Sequence, residues 1–244
     1  SVAKIFVQPT TPVDICVGGV ISVSVTTTTV PGTTYSYQWQ SSTDGVNWNN
    51  KTNPTATTAD FTSDALSETT QFRCIVTSVN PNCTLITNSV TAIVIPDPSI
   101  VVQPQGGTIC EGGNFNLSVQ ASNGTPSLTY QWQSSTTSGS GFTDISGATN
   151  PNLSVTSLTQ TTYYRVNVSA SGNGCNSITS SEATVTVVLD PVVSDQPDDV
   201  TICDGTSTTL NVVATGGTGT LLYQWQSSSN GTTFANISGA TSDS

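Results

Sequence analysis

"YQWQSS" stands at Tyr37–Ser42, again at Tyr130–Ser135 and again at Tyr223–Ser228, so that Trp39, Trp132 and Trp225 lie 93 residues apart. Such a phrase is either a binding motif shown in several copies or one strand of a duplicated module. Aligning the copies brings the rest of the chain into register. Cys16, Cys110 and Cys203 keep nearly the same spacing. "VQP" at Val7–Pro9 recurs at Val102–Pro104 and as "DQP" at Asp195–Pro197, and "FTDISGAT" at Phe142–Thr149 returns as "FANISGAT" at Phe234–Thr241. Trp48 fills the slot of Phe142 and Phe234. The chain therefore divides into two full modules, residues 1–97 and 98–190, and the N-terminal part of a third, residues 191–244.

Around the phrase, Leu128, Tyr130 and Trp132 alternate with Thr129, Gln131 and Gln133. Phe115, Leu117, Val119 and Ala121 alternate with polar residues in the same way, as do Tyr164, Val166 and Val168, and Ala183, Val185 and Val187. Period two with one polar face is the pattern of half-buried antiparallel strands. Clusters such as "SNGTPS" and "SGNG" punctuate the runs as turns, and no stretch carries a 3.6-residue period. The expected fold is all-β: tandem immunoglobulin-like β-sandwich modules of about 93 residues per repeat. Trp39, Trp132 and Trp225 share the parity of their apolar neighbours and are expected as core plugs, with the flanking glutamines pointing outward. Tyr37, Tyr130, Tyr223, Trp48, Phe142 and Phe234 sit in slots shared between modules, as core residues would. Tyr163 is the aromatic that parity places outside.

Composition excludes several functions. Four Lys and Arg stand against fifteen Asp and Glu, a net charge of −11, so no cationic cluster exists to bind nucleic acid or an acidic membrane surface. No apolar run approaches the ~18 residues of a membrane span. The low charge and acidic balance suit a secreted or surface protein. With no Met and no signal peptide at its start, the chain reads as a mature or excised piece of something longer. The absence of His removes the usual catalytic triads, and adjacent Asp198 and Asp199 do not converge on one substrate, so no enzyme, no catalytic residue and no organic cofactor is expected. Asp97 and Asp190 at the module junctions, with Glu111 and Asp204 beside the first Cys of their modules, are the candidate metal ligands, for Ca²⁺ through oxygen. The bland alternative is that they are solvated linker acids.

Six Cys could be bridges, metal ligands or thiols; without His and without a Cys-x-x-Cys pair a zinc site is not expected. Cys16, Cys110 and Cys203 share an early slot, and Cys83 and Cys175 share a late one. The alignment pairs Cys16 with Cys83 and Cys110 with Cys175, and gives Cys203 a partner outside the chain. Such bridges imply an oxidising compartment. Cys74 aligns with the core slot of Val166 and is expected to be a buried free thiol.

The early Cys, "YQWQ", the "SGAT" turn at Ser146–Thr149, "TTYYRV" at Thr161–Val166 and a late Cys followed by "SITSSEATVTV" form a set. It resembles the tandem immunoglobulin-like repeats of giant Bacteroidota cell-surface adhesins, the gliding adhesins of SprB type. The resemblance covers the whole chain, and its motifs mark a module type rather than an activity. It departs at Cys74, unmatched in module two, and at Phe72, which replaces Tyr164. It implies filaments exported by type IX secretion and anchored at the outer membrane, serving cell adhesion and gliding motility. The partners it implies are other repeats of the same long chain, the secretion and anchoring machinery, and a surface glycan or protein target. The expected function is thus a structural stalk segment of an extracellular repeat adhesin. The rival is a multivalent binding array whose modules each bind glycan or protein weakly.

Overall fold

The computed structural model describes residues 5–7, 12–28, 30–79 and 82–244, the first three as backbone alone. Among them every regular element is a β-strand. In the first module the strand Tyr35–Ser42, which carries the repeated phrase, pairs antiparallel with Thr70–Ser78 along its whole length. On its far side Thr70–Ser78 pairs with Cys83–Ile86 and with Val90–Ile95. Asn49–Asn50 forms one edge of this sheet; the other is Val13–Cys16, running parallel to Val90–Ile95. The remaining strands pair as Ser22–Ser24 with Asp60–Thr62, and Ile5–Val7 with Thr26–Thr27. The second module repeats the order: Gly107–Cys110, Ala183–Val188, Thr162–Ala170, Leu128–Ser135 and Thr143–Asp144, with Ile178–Thr179 beside Thr162–Ala170.

Alternation explains the packing. Thr70–Ser78 is buried at every second residue, and its inner side chains Phe72, Cys74 and Val76 meet Trp39 and Phe61 in the core. Trp39 stacks on Phe61 at 5.1 Å between centroids, and Phe61 tilts against Phe72 at 5.4 Å. In module two Trp132, Val166, Val168 and Val185 form the same centre. Each such side chain contributes on the order of 1.5–3 kcal/mol through burial. The first strand of each full module is split. Ser99–Val102 pairs with Gln120–Ser122, and past buried Pro104, which has no N–H to offer a ladder, Gly107–Cys110 joins the other sheet. Gly106 permits the crossing, since a Cβ there would fall 1.9 Å from the Thr184 carbonyl oxygen. Pro9, the first copy of that proline, lies outside the described residues.

Two expectations need correction. Trp48, Phe142 and Phe234 share a slot but not the core: Trp48 and Phe142 are half-buried, each beneath an arginine, and Phe234 is 58% exposed. They stand just before two-residue edge strands, where parity with a buried neighbour does not impose burial. The cysteine pairing also differs, because the early and late cysteines lie far apart within a module. The third module has two short pairings, Val192–Asp195 with Val213–Thr215 and Gln226–Ser227 with Ala235–Asn236. Trp225 is half-buried and Leu210 is 40% exposed there, with no counterpart of Thr162–Ala170 in the sequence to cover them.

Candidate functional site at the module junction

Strand direction decides where the cysteines fall. Cys16 is in register with Ile95, at the pole where the chain leaves module one. Cys83 is in register with Ser78, at the other end of the nine-residue strand Thr70–Ser78. That strand spans about 30 Å at ~3.3 Å per residue, whereas a disulfide tolerates about 7 Å between Cα atoms. Cys16 and Cys83 therefore do not meet, and neither do Cys110, opposite Val188, and Cys175 at the far pole of module two. Stacking the modules head to tail instead brings the early cysteine of one to the late cysteine of the next. Cys16 is bonded to Cys175 across the junction, with Cα atoms 4.7 Å apart, closing 159 residues. Cys74, Cys83, Cys110 and Cys203 are free.

Backbone contacts frame this bridge. Cys16 N donates to Asn173 O at 2.9 Å, and Val20 N donates to Asn173 Oδ1 at 2.8 Å. The segments approach so closely that a Cβ on Gly174, whose φ is +80°, would lie 2.3 Å from Gly19 N; one on Gly19 would lie 2.5 Å from Asn173 O. From the linker, Gly124 N donates to Pro96 O at 2.9 Å. Asp97 accepts from Asn176 N at 3.1 Å and from Asn176 Nδ2 at 2.7 Å. The candidate calcium ligand Asp97 thus already serves as an acceptor for module two. Asp190, Glu111 and Asp204 are exposed, and among the described residues no three Asp, Glu or Cys side chains gather as a metal group would.

The tryptophan phrase is explained by its hydrogen bonds. Trp39 and Trp132 are fully enclosed, and each indole Nε1 donates to a carbonyl, Thr58 O at 2.9 Å and Asn150 O at 2.8 Å; Trp225 donates to Ser242 O at 3.0 Å. The preceding glutamine clips its strand to the following turn: Gln38, Gln131 and Gln224 donate Nε2 to Lys51 O, Ile145 O and Ile237 O. The glutamine after the tryptophan turns outward. Arg73 Nε donates to Gln40 Oε1 at 2.9 Å with its guanidinium 4.1 Å from the Trp48 centroid. Arg165 donates to Gln133 Oε1 at 2.7 Å and lies 4.2 Å from that of Phe142. The chain's two arginines thus hold one arrangement on one outer face. These glutamine roles escape a reading by parity, though the recurrence of glutamine on both sides of each tryptophan was the available signal. Cys74 is buried in the core, and burial pushes its thiol up to about 11. Burial also raises Tyr164 above the usual phenol range, with Thr162 opposing it.

A family model described as "Domain of unknown function (DUF8696)" matches the chain three times, over residues 10–96, 101–189 and 194–244. No curated protein matches the chain. Among solved structures, a fragment of the titin I-band is similar with a TM-score of 0.50 and 13% identity, over 96% of this chain and 81% of that one. An E-to-A variant of a three-immunoglobulin titin fragment gives the same figures. The immunoglobulin domains 1–5 of Sidekick-1 align at a TM-score of 0.44 and 15% identity, over 88% of this chain and 45% of that one. The titin likeness is one of fold: tandem immunoglobulin-like sandwiches.

Proposed function

The chain belongs to that family of domains of unknown function, in three tandem copies, and from this premise we propose that it is a stalk segment of an extracellular repeat adhesin. In this reading its work is spatial: holding an adhesive element away from the cell surface, with no catalysis. The observation that carries it is the junction, where a covalent bridge and backbone contacts without room for a side chain fix one module against the next. A binding domain on a loose tether has no use for such a joint. A disulfide of this kind requires an oxidising compartment, which agrees with export to the cell surface. The finer reading, a gliding adhesin delivered by type IX secretion, rests on the sequence resemblance alone. Small-angle X-ray scattering of the oxidised chain tests the proposal. Three modules of roughly 35 Å should give the skewed distance distribution of a rod, with a tail reaching about 100 Å. A compact distribution, or the profile of a freely bending chain, with the bridge intact would overturn it.

A second reading is favoured by one observation. The repeated pairing of Arg73 with Trp48 and Arg165 with Phe142 places a cation over an aromatic ring on the same outer face of both full modules. An array of weak sites for surface glycan or protein would use such a face. Loss of surface binding on Arg165→Ala, with the rod shape retained, would favour the array over the stalk.

A further inference from the structure

We infer that the Cys16–Cys175 bridge is one rung of a repeating covalent ladder, in which the early cysteine of each module is oxidised onto the late cysteine of the module that follows. The inference goes beyond the stalk reading, because it assigns a bonding role to cysteines that are thiols in this chain: Cys83, Cys110 and Cys203.

Polarity is the first support. Cys110 is in register with Val188, at the pole of module two that faces module three, as Cys16 is with Ile95 in module one. Cys83 opens the strand beside Ser78, at the pole turned away from module two, where it is exposed. The early and late slots are thus a donor end and an acceptor end on every module, and no sandwich can satisfy both by itself.

The second junction supplies the independent support. Gly217 N donates to Leu189 O at 2.7 Å, repeating the bond from Gly124 N to Pro96 O at 2.9 Å, with each partner 93 residues further along the chain. Beside it, Cys110 Sγ lies 3.9 Å from Thr218 Oγ1. Thr218 is the counterpart of Thr125, whose carbonyl oxygen lies 3.7 Å from Cys175 Sγ in the formed rung. Cys110 therefore rests against the same threonine of module three that marks the place of the late cysteine in module two. Cys74 takes no part: it is buried in the core, away from either pole.

The chemistry is thiol–disulfide exchange with a donor disulfide, either a small molecule such as oxidised glutathione or an oxidoreductase. The thiolate of the early cysteine attacks one donor sulfur, forming a mixed disulfide and releasing one donor thiolate. The late cysteine's thiolate then attacks the early sulfur, forming the rung and releasing the second donor thiolate. Two protein thiols lose two protons and two electrons, and one donor disulfide becomes two thiols.

Thr218→Cys in the full chain tests the facing geometry. In oxidised glutathione, non-reducing peptide mapping should find Cys110 bonded to the introduced thiol and lost to alkylation, alongside the Cys16–Cys175 peptide. In the unsubstituted chain Cys110 and Cys83 should appear in no protein disulfide, each as the thiol or its glutathione mixed disulfide. Extending the chain with a second copy of residues 152–190 then completes module three and supplies its late cysteine. Cys110 should bridge to that cysteine, and Cys110→Ser should leave the new cysteine without a protein partner. The Cys16–Cys175 peptide reports in each sample that the modules have folded and oxidised. A Cys110 without a protein partner in both variants, whether thiol or glutathione mixed disulfide, while Cys16–Cys175 forms would overturn the ladder and leave the rod shape untouched. So would a Cys110–Cys175 peptide in any of them.

Discussion

The indole of Trp132 fills the centre of module two while its one polar atom is satisfied by Asn150 O. Truncation therefore removes packing and strands a carbonyl. Trp132→Ala should cost about 3–5 kcal/mol, as large core truncations do, and hydrogen exchange of the Thr162–Ala170 amides should register the loss before module one responds. Asp44 gives a prediction of another kind. Its carboxylate accepts from Val46 N at 2.8 Å, Asn47 N at 2.7 Å, Asn47 Nδ2 at 2.6 Å and Ser42 Oγ at 2.9 Å. These bonds, the one from Asn47 N foremost, hold its pKa far below the ordinary value of 3.8. A depressed carboxylate stabilises the turn above its unfolded value, and that contribution is lost as pH falls below it toward the folded one. NMR of the Val46 and Asn47 amides should show the turn intact at pH 5 and loosening only below about pH 4. Asn230 makes the same bonds from Thr232 N and Thr233 N in module three without a charge. Asp44→Asn should therefore keep the turn and abolish the titration; a turn that opens in this variant would contradict the assignment.

At the scale of the element, the junction segments Cys16–Gly19 and Asn173–Cys175 offer a sharp test. Gly174→Ala adds a methyl where 2.3 Å is available and forces a left-handed φ on a residue with a Cβ. It should reduce the yield of the Cys16–Cys175 bridge in peptide mapping while leaving the hydrogen exchange of both cores unchanged. How much of this was legible in the sequence follows from what each element depends on. Thr70–Ser78 and Thr162–Ala170 were readable because period-two burial is a property of the strand itself. Trp39 and Trp132 were readable because their parity is shared with their strand neighbours. The cysteine partners were not, since a repeat alignment states which slots correspond and not whether slots join within a module or between modules. Strand direction held the missing information: Cys16 and Cys83 border opposite ends of Thr70–Ser78. Trp48 and Phe142 misled for a related reason, since sharing a slot between copies conserves a place on the surface as readily as one in the core.

For the whole molecule, the bridge alters how tension is carried. Val13–Cys16 and Val90–Ile95 are parallel, so pulling module one by its ends loads their hydrogen bonds in shear, all together. The disulfide shields most of that module, because residues between Cys16 and Cys175 lie inside a closed loop of 159 residues. In single-molecule extension, reducing agent should release about 540 Å of added length, at ~3.4 Å for each residue freed, and the oxidised chain should lack that release. Equal lengths in both conditions would place the bridge outside the load path. The longer consequence concerns reach. Where rungs recur, a continuous bonded route runs from Cys175 along 28 residues to Cys203 and then leaps by its rung into the module after. Each such stretch advances two modules, about 70 Å when folded, and measures about 95 Å pulled straight. A filament laddered in this way, even with every sandwich torn open, would lengthen by roughly a third, and its tip would stay at nearly the height at which it was built.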